Sequence, residues 1–287
     1  MYPQVFHGDT WTTGSGAVLP VGSIAMRYAV SAFEGVRLYR RADGRGVQPF
    51  KLDAHVRRLG TTLALSRIPD PGIEKIPGLV DDLVLHNGIE DDAYVRIAVS
   101  AANPGMIDDE IDPVLTITAT PMGRKRWLDS GMRLQISLWQ RAADLAFPSA
   151  AKVISSYAGS RLALLDARAA GFDGCVLTNA DGRLSEAPTA ALFLVRDGVL
   201  STPSLLEGVL PSITRRWVLD VAAELGLTAR EAPLSRIDAY TADEAFLCGT
   251  GLEFAPVRSF DSHDCAQWPR HPATSALIDR YFQEVRR

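Results

Sequence analysis

A polar stretch that contains two breakers and no hydrophobic period, Pro121-Met122-Gly123-Arg124-Lys125-Arg126, interrupts an otherwise strongly patterned chain. It is the natural interdomain linker, so the sequence is expected to form two domains: 1–121, a linker at 122–133, and 134–287. Both halves mix helix and strand signals. In the first, strands lead into helices around His55–Leu65 and Ile76–His86, and strands return at Tyr94–Ser100 and Val114–Ala119. In the second, an apolar period through Leu162, Leu164, Leu165 and Ala169 closes at Gly171, the pattern of a helix with a glycine cap. Two strand-like runs follow, Gly174–Thr178 and Ala190–Val195, with a turn at Asp181-Gly182 between them. The fold class expected is therefore α+β in both halves. A length of 287 residues is ample for two cores.

Composition removes several classes of function. The net charge of −4 gives no reason to expect a nucleic-acid partner. No apolar run reaches the ~18–20 residues that span a bilayer, and Met1-Tyr2-Pro3-Gln4-Val5 lacks the basic-then-apolar pattern of a signal peptide. A cytoplasmic protein without membrane association is the expectation. Cys175, Cys248 and Cys265 are odd in number and have no paired spacing, which argues against a disulfide framework and a zinc site. His55 is read as a packing residue of its helix, and no metal is expected.

The sharpest chemical signal is Lys152. Of 30 basic residues only four are lysines, at positions 51, 75, 125 and 152. Three have charged or turn-forming neighbours, whereas Lys152 sits in Ser149-Ala150-Ala151-Lys152-Val153-Ile154. An ammonium in such a setting is poorly solvated, which favours the neutral amine. A neutral amine can attack an aldehyde and form a Schiff base. The competing reading is a lysine with a buried stem and a head that snorkels to water. Glu186 follows the Asp181-Gly182 turn, bordered by Ala187, Pro188 and Ala190. A buried carboxylate there needs a partner, and the ring nitrogen of pyridoxal phosphate is one that it would suit. A solvated glutamate at the end of a hairpin is the alternative.

Two segments could seat a phosphate. Leu210-Pro211-Ser212-Ile213-Thr214-Arg215, with the proline expected in the first helical turn, opens the helix pattern Trp217-Val218-Val221-Ala222-Leu225 and would offer free backbone N–H groups with the Thr214 hydroxyl. Cys248-Gly249-Thr250-Gly251 follows an apolar run, and its glycines allow close approach of the backbone to an anion.

Taken in order, these residues resemble one family. Ala151-Lys152, Tyr157, Ser185-Glu186, the Leu210-to-Arg215 motif and Gly249-Thr250 look like the class IV pyridoxal-phosphate aminotransferases. The branched-chain amino acid aminotransferases are the nearest match within that group. Phe33-Glu34-Gly35-Val36-Arg37-Leu38-Tyr39, Phe50-x-Leu52-x-x-His55-x-x-Arg58-Leu59 and Tyr94-Val95-Arg96 resemble further motifs of the family, so the likeness runs from about residue 28 to 260. It implies the two-domain fold type IV, similar to D-amino acid aminotransferase, with the cofactor between the domains. By resemblance, Lys152 bonds the cofactor and carries the proton shift, Glu186 pairs with the ring nitrogen, and Tyr157 bonds the phenolic oxygen. Arg58, Ile213, Thr214 and Thr250 would hold the phosphate; Tyr28, Arg37, Tyr94, Arg96 and Gly251 map to the substrate pocket. The implied partners are a small-molecule amino acid and a 2-oxo acid, in a homodimer or higher homo-oligomer.

Departures from the family pattern surround the pocket. The lysine is followed by Val153-Ile154-Ser155-Ser156, Ala191 replaces an asparagine, Ser212 replaces a glycine, and Gly251 replaces an alanine. None of them removes a catalytic group. The leading function is transamination of an L-amino acid with a branched-chain or other hydrophobic side chain, with 2-oxoglutarate as acceptor. D-amino acid transaminases, amine transaminases and aminodeoxychorismate lyase are the alternatives. The first usually carry an Arg-x-His carboxylate trap, which Arg96-Ile97-Ala98-Val99 does not offer. The amine enzymes tend to have Tyr-Val-Glu where this chain has Tyr94-Val95-Arg96, and that charge reversal favours an acid substrate.

Overall fold

A computed structural model of the chain describes residues 1–124 and 127–287. Lys125 and Arg126, in the middle of the expected linker, lie outside the described residues. The chain divides into two compact units: 1–123 with 151–155 and 285–287, and 124–150 with 156–284.

The first unit is built on a six-stranded antiparallel sheet. Its elements are β1 (Gln4–His7), β2 (Thr10–Thr13), α1 (Ile24–Tyr28), β3 (Ser31–Arg40), β4 (Val47–Pro49), α2 (Leu52–Ser66), α3 (Ile76–Asn87), β5 (Ala93–Ala101) and β6 (Pro113–Pro121). The strand order is β2-β1-β6-β5-β3-β4. Strand β5 alternates as the sequence suggests: Ala93, Val95, Ile97 and Val99 are buried, and Tyr94, Arg96 and Ala98 half-buried. In β3 every residue but the last is buried, so no period shows in its sequence. Helix α2 turns Leu52, His55, Leu59, Thr62 and Leu63 inward at intervals of three and four residues and packs on β3. Helix α3 does the same with Ile76, Val80 and Leu83 against β1 and β6. Each such buried aliphatic side chain contributes about 1.5–3 kcal/mol.

The second unit holds an eight-stranded mixed sheet. Its elements are α4 (Trp127–Ser130), β7 (Met132–Gln140), α5 (Tyr157–Ala169), β8 (Gly174–Thr178), β9 (Ala191–Arg196), β10 (Val199–Pro203), α6 (Ile213–Ala222), β11 (Thr228–Ala232), α7 (Arg236–Tyr240), β12 (Glu244–Gly249), β13 (Glu253–Phe260), β14 (His263–Asp264) and α8 (Pro272–Glu284). The order is β11-β10-β9-β12-β13-β7-β8, with β14 on β13. The parallel pairs β7–β8 and β10–β11 are bridged in sequence by α5 and α6, as parallel neighbours require. Leu134, Val176, Leu192, Leu194, Leu247, Val257 and Phe260 lie at the centre of its core.

Four expectations need correction. Residues 151–155 and 285–287, assigned to a second domain at 134–287, cluster with the first unit. For 151–155 the cause is backbone pairing with β3, described below. Part of the expected linker 122–133 is ordered as α4 and the start of β7. The Asp181-Gly182 turn is present, with Gly182 at φ +77° and Asn179 N–H bonded to Arg183 O. It does not join neighbouring strands, because β8 ends the sheet beside β7 while β9 lies between β10 and β12. Lastly, Pro211 stands one residue before the N-cap of α6, which is Ser212.

Candidate active site

Glu34, in the buried run of β3, is a fully buried carboxylate with two side-chain partners. Its Oε2 lies 2.8 Å from His55 Nδ1. Arg58 donates to it through Nε at 2.7 Å and Nη2 at 2.8 Å. This two-point contact fixes the plane of the guanidinium. Burial alone would raise the Glu34 pKa, but the hydrogen bonds and charge of Arg58, with those of His55, lower it to about 2. His55 moves down from its usual value, mainly because burial disfavours its cation and despite the pull of Glu34. His55 is thus a polar partner of Glu34 rather than simple packing. Arg58, expected at a phosphate, is held by this carboxylate.

Lys152 is brought to the same region by main-chain bonds. Phe33 N–H donates to Lys152 O at 3.0 Å, Ala32 bridges to Val153, and Lys152 N–H donates to Thr62 Oγ1 at 3.2 Å. The amine ends 4.5 Å from the centroid of the Phe33 ring, and the Arg96 guanidinium lies 3.9 Å from the same centroid. Tyr94 and Arg96 stand opposite Arg37 and Gly35 in the β3–β5 register. A Cβ on Gly35 would overlap the Tyr94 hydroxyl, so only glycine leaves room for that phenol. Burial raises the Tyr94 pKa, and the hydroxyl therefore keeps its proton at neutral pH.

Two further residues expected at the pocket, Tyr28 and Arg37, have these surroundings. Tyr28 ends α1, half-buried, with its hydroxyl 4.0 Å from Met106 Sδ. Arg37 is fully buried; its Nη2 lies 4.0 Å from Asp92 Oδ2 and its guanidinium 5.2 Å from the Tyr39 ring. These contacts hold the Arg37 guanidinium within the first unit.

In the second unit, Tyr157 is the first residue of α5 and Glu186 follows β8. Glu186 is buried and accepts from Arg141 Nη2 at 2.8 Å and from Leu210 N–H at 3.1 Å. Both carboxylate oxygens are thereby partnered, which makes burial of the charge tolerable. The solvated-rim alternative is excluded by that burial. The α6 N-terminus begins with Ile213 and Thr214, whose N–H groups precede the first helical bond, Arg216 N–H to Ser212 O. Ser212 caps the Arg215 N–H, and the Arg215 side chain is spent on Glu231 and Pro203 O. Thr250 and Gly251 form the turn between β12 and β13. Burial pushes the Cys248 thiol well up, so it is inert at neutral pH.

Glu34, Thr62 and Arg141 escaped the sequence reading. A signal existed for the first, as a lone carboxylate in an apolar run with His55 and Arg58 three apart on one helix face. Nothing local marks Thr62 or Arg141.

A family model for class IV aminotransferases matches residues 31–260. The branched-chain-amino-acid aminotransferase of Salmonella typhimurium is 34% identical over 273 residues, 93% of this chain and 87% of that one. The solved branched-chain aminotransferase of Thermoproteus uzoniensis with norvaline matches with a TM-score of 0.94 at 30% identity, covering 99% of this chain and 95% of its own. The enzyme of Thermobaculum terrenum in its PLP form gives 0.93 at 29% identity, covering 99% and 94%.

Proposed function

Because the chain belongs to the class IV aminotransferases, which work with pyridoxal phosphate, we propose that it transfers the amino group of a branched-chain or other hydrophobic L-amino acid to 2-oxoglutarate. The observation that carries this is the placement of an amine and an acid-binding cation on one ring, Lys152 and Arg96 on Phe33. Relatives named for branched-chain amino acids, one of them solved with norvaline, support the aliphatic donor. The proposal extends to a homodimer in the cytoplasm; among the described residues no helix is long and apolar enough to cross a membrane.

The residues present fit the cofactor. There is an amine for its aldehyde, a buried carboxylate for its ring nitrogen, and a helix start with free N–H groups for its phosphate. When bound, pyridoxal phosphate supplies an aldehyde that bonds amines and a ring that takes up the electron pair left at the substrate α-carbon. Lys152 Nζ takes the α-proton and returns it on the far side of the transfer. Glu186, oriented by Arg141 and Leu210, sets a negative charge beside the ring nitrogen. Tyr157 donates its hydroxyl proton to the phenolic oxygen. Arg58, fixed by Glu34, would serve as a phosphate contact of the first unit; Ile213, Thr214 and Thr250 would serve as those of the second. Tyr94 and Arg96 would bind the carboxylate of the acid substrate; Tyr28 in the first unit and Gly251 in the second are further proposed substrate contacts.

A panel of donors assayed with 2-oxoglutarate and with pyruvate tests the assignment. Fastest turnover is expected for leucine, isoleucine or valine with 2-oxoglutarate; faster turnover of D-amino acids or simple amines would sink it. In the same assay, Arg96→Leu should raise the KM for 2-oxoglutarate by roughly 10–100-fold, since a charge-assisted bond to a desolvated carboxylate is lost. An unchanged KM would remove Arg96 from the pocket. Glu186→Gln should slow the chemical step on the order of a hundredfold, with less effect on retention of the cofactor. Turnover equal to that of the unaltered enzyme would show that Glu186 lies away from the ring nitrogen.

A further inference from the structure

Phe33 lies on β3, buried, and presents its ring to two cations at once. The Lys152 amine is 4.5 Å and the Arg96 guanidinium 3.9 Å from its centroid. Both distances are inside the ~6 Å within which a cation is attracted to the face of a ring. Two like charges brought to one place repel, and a methylene lining would not offset that. An aromatic quadrupole does, because it presents negative potential without adding a titratable group. The main chain of Phe33 contributes as well, since its N–H holds the Lys152 carbonyl at 3.0 Å. On the other side, Thr62 Oγ1 accepts the Lys152 N–H. The lysine peptide is thus pinned at both ends, and the amine at the tip of its stem rests on the same residue that pins it.

We propose that Phe33 is the positioning residue of the site, its ring seating the Lys152 ammonium and the Arg96 guanidinium together. This rests on the reading of Lys152 as the reacting amine. Whenever that amine is not bonded to the cofactor it needs a resting place, and the ring supplies one that does not compete by forming a hydrogen bond. A contact between the Arg96 guanidinium carbon and the ring likewise consumes none of its N–H donors, which are then available to a carboxylate. The ionisable groups on the elements packed here include Glu34 on β3, His55 and Arg58 on α2, and Tyr94 and Arg96 on β5; Arg37, Tyr39 and Arg40 on β3 and Asp53 and Arg57 on α2 complete the set. Glu34 is already engaged by His55 and Arg58, so it adds little free negative charge for the amine.

With only four lysines in the chain, ε-13C-lysine labelling of the full-length protein stripped of cofactor isolates the Lys152 signal by NMR. In the unaltered protein its ε-methylene should lie upfield of the other three, shifted by the ring current. Absence of that shift overturns the proposal without need of any variant. In Phe33→Leu, or in Phe33→Met where leucine leaves the chain unfolded, the shift should vanish. The amine pKa should then fall by about 0.5–1.5 units as the ammonium loses the ring. Phe33→Tyr should restore both. An unchanged pKa in the folded leucine or methionine variant overturns the amine half of the proposal. In the loaded enzyme, Phe33→Leu should raise the KM for 2-oxoglutarate several-fold more than it lowers kcat, and an unchanged KM overturns the arginine half. The NMR readouts involve no turnover, so a failed aminotransferase assignment would leave them standing, and their failure would leave that assignment intact.

Discussion

Lys152→Ala should abolish transamination, with any residue of activity no more than a trace. The purified parent protein should be yellow, and borohydride should fix the cofactor to the peptide that contains Lys152, as read by mass. The alanine variant should show neither the covalent adduct nor turnover. Arginine at the same position should not rescue, because a guanidinium stays protonated and cannot bond the aldehyde. The effect is expected to be this large because the side chain has two tasks, holding the cofactor and moving a proton, and no other lysine of the chain has its setting. A variant with substantial activity would place the reacting amine elsewhere.

Glu34→Gln should destabilise the protein by about 3–5 kcal/mol at pH 7, the usual loss when one partner of a buried ion pair is removed. The amide is nearly isosteric, so packing survives while Arg58 and His55 lose their carboxylate. The pH dependence distinguishes this from a general packing defect. Glu34 titrates at about 2 in the folded chain, against an ordinary value of 4.5. Its stabilising contribution is therefore complete above about 4.5 and is lost as the pH falls toward 2. His55 acts in a second window. Its folded pKa lies below 6.5, so the unfolded chain binds the proton more readily, and stability declines as the pH drops below that value. Denaturant midpoints between pH 7 and pH 3 should show both declines in the parent. In Glu34→Gln the lower one should be missing. Equal slopes from pH 5 to pH 3 in the two proteins would show that Glu34 does not hold its proton affinity low through Arg58.

Several elements that sequence made legible have one-sided burial, while β8, buried throughout, is read as a short continuous apolar run. Helices α2 and α3 and strand β5 repeat their apolar residues with the period of their backbone, and β8 coincides with the run Gly174–Thr178. Strand β3 is covered on both faces, so a ten-residue strand left no alternation to read. The order of strands was equally hidden. A turn at Asp181-Gly182 suggests adjacency, yet β8 and β9 are kept apart by three strands of the sheet, a consequence of long-range pairing that no local window contains. Lys152 was recognisable from its own neighbours, but its membership of the first unit was not. The contacts that put it there, to Ala32, Phe33 and Thr62, come from residues about 90 to 120 positions earlier. A shorter separation, from 141 to 186, hides Arg141 from Glu186 in the same way. Residue types in a site are readable one at a time; the bonds that aim them are not.

Gly35 and Tyr94 share one volume: the phenol fills the space that a side chain at 35 would occupy. As lineages of this enzyme diverge, these two positions should therefore drift only in concert. A larger residue at 35 becomes admissible only when the tyrosine at 94 has first been replaced by something short; in the reverse order the new side chain meets the phenol. Tyr94 is proposed to touch the substrate, so the order of those two steps would govern whether a descendant can reach a new substrate without passing through an inactive form.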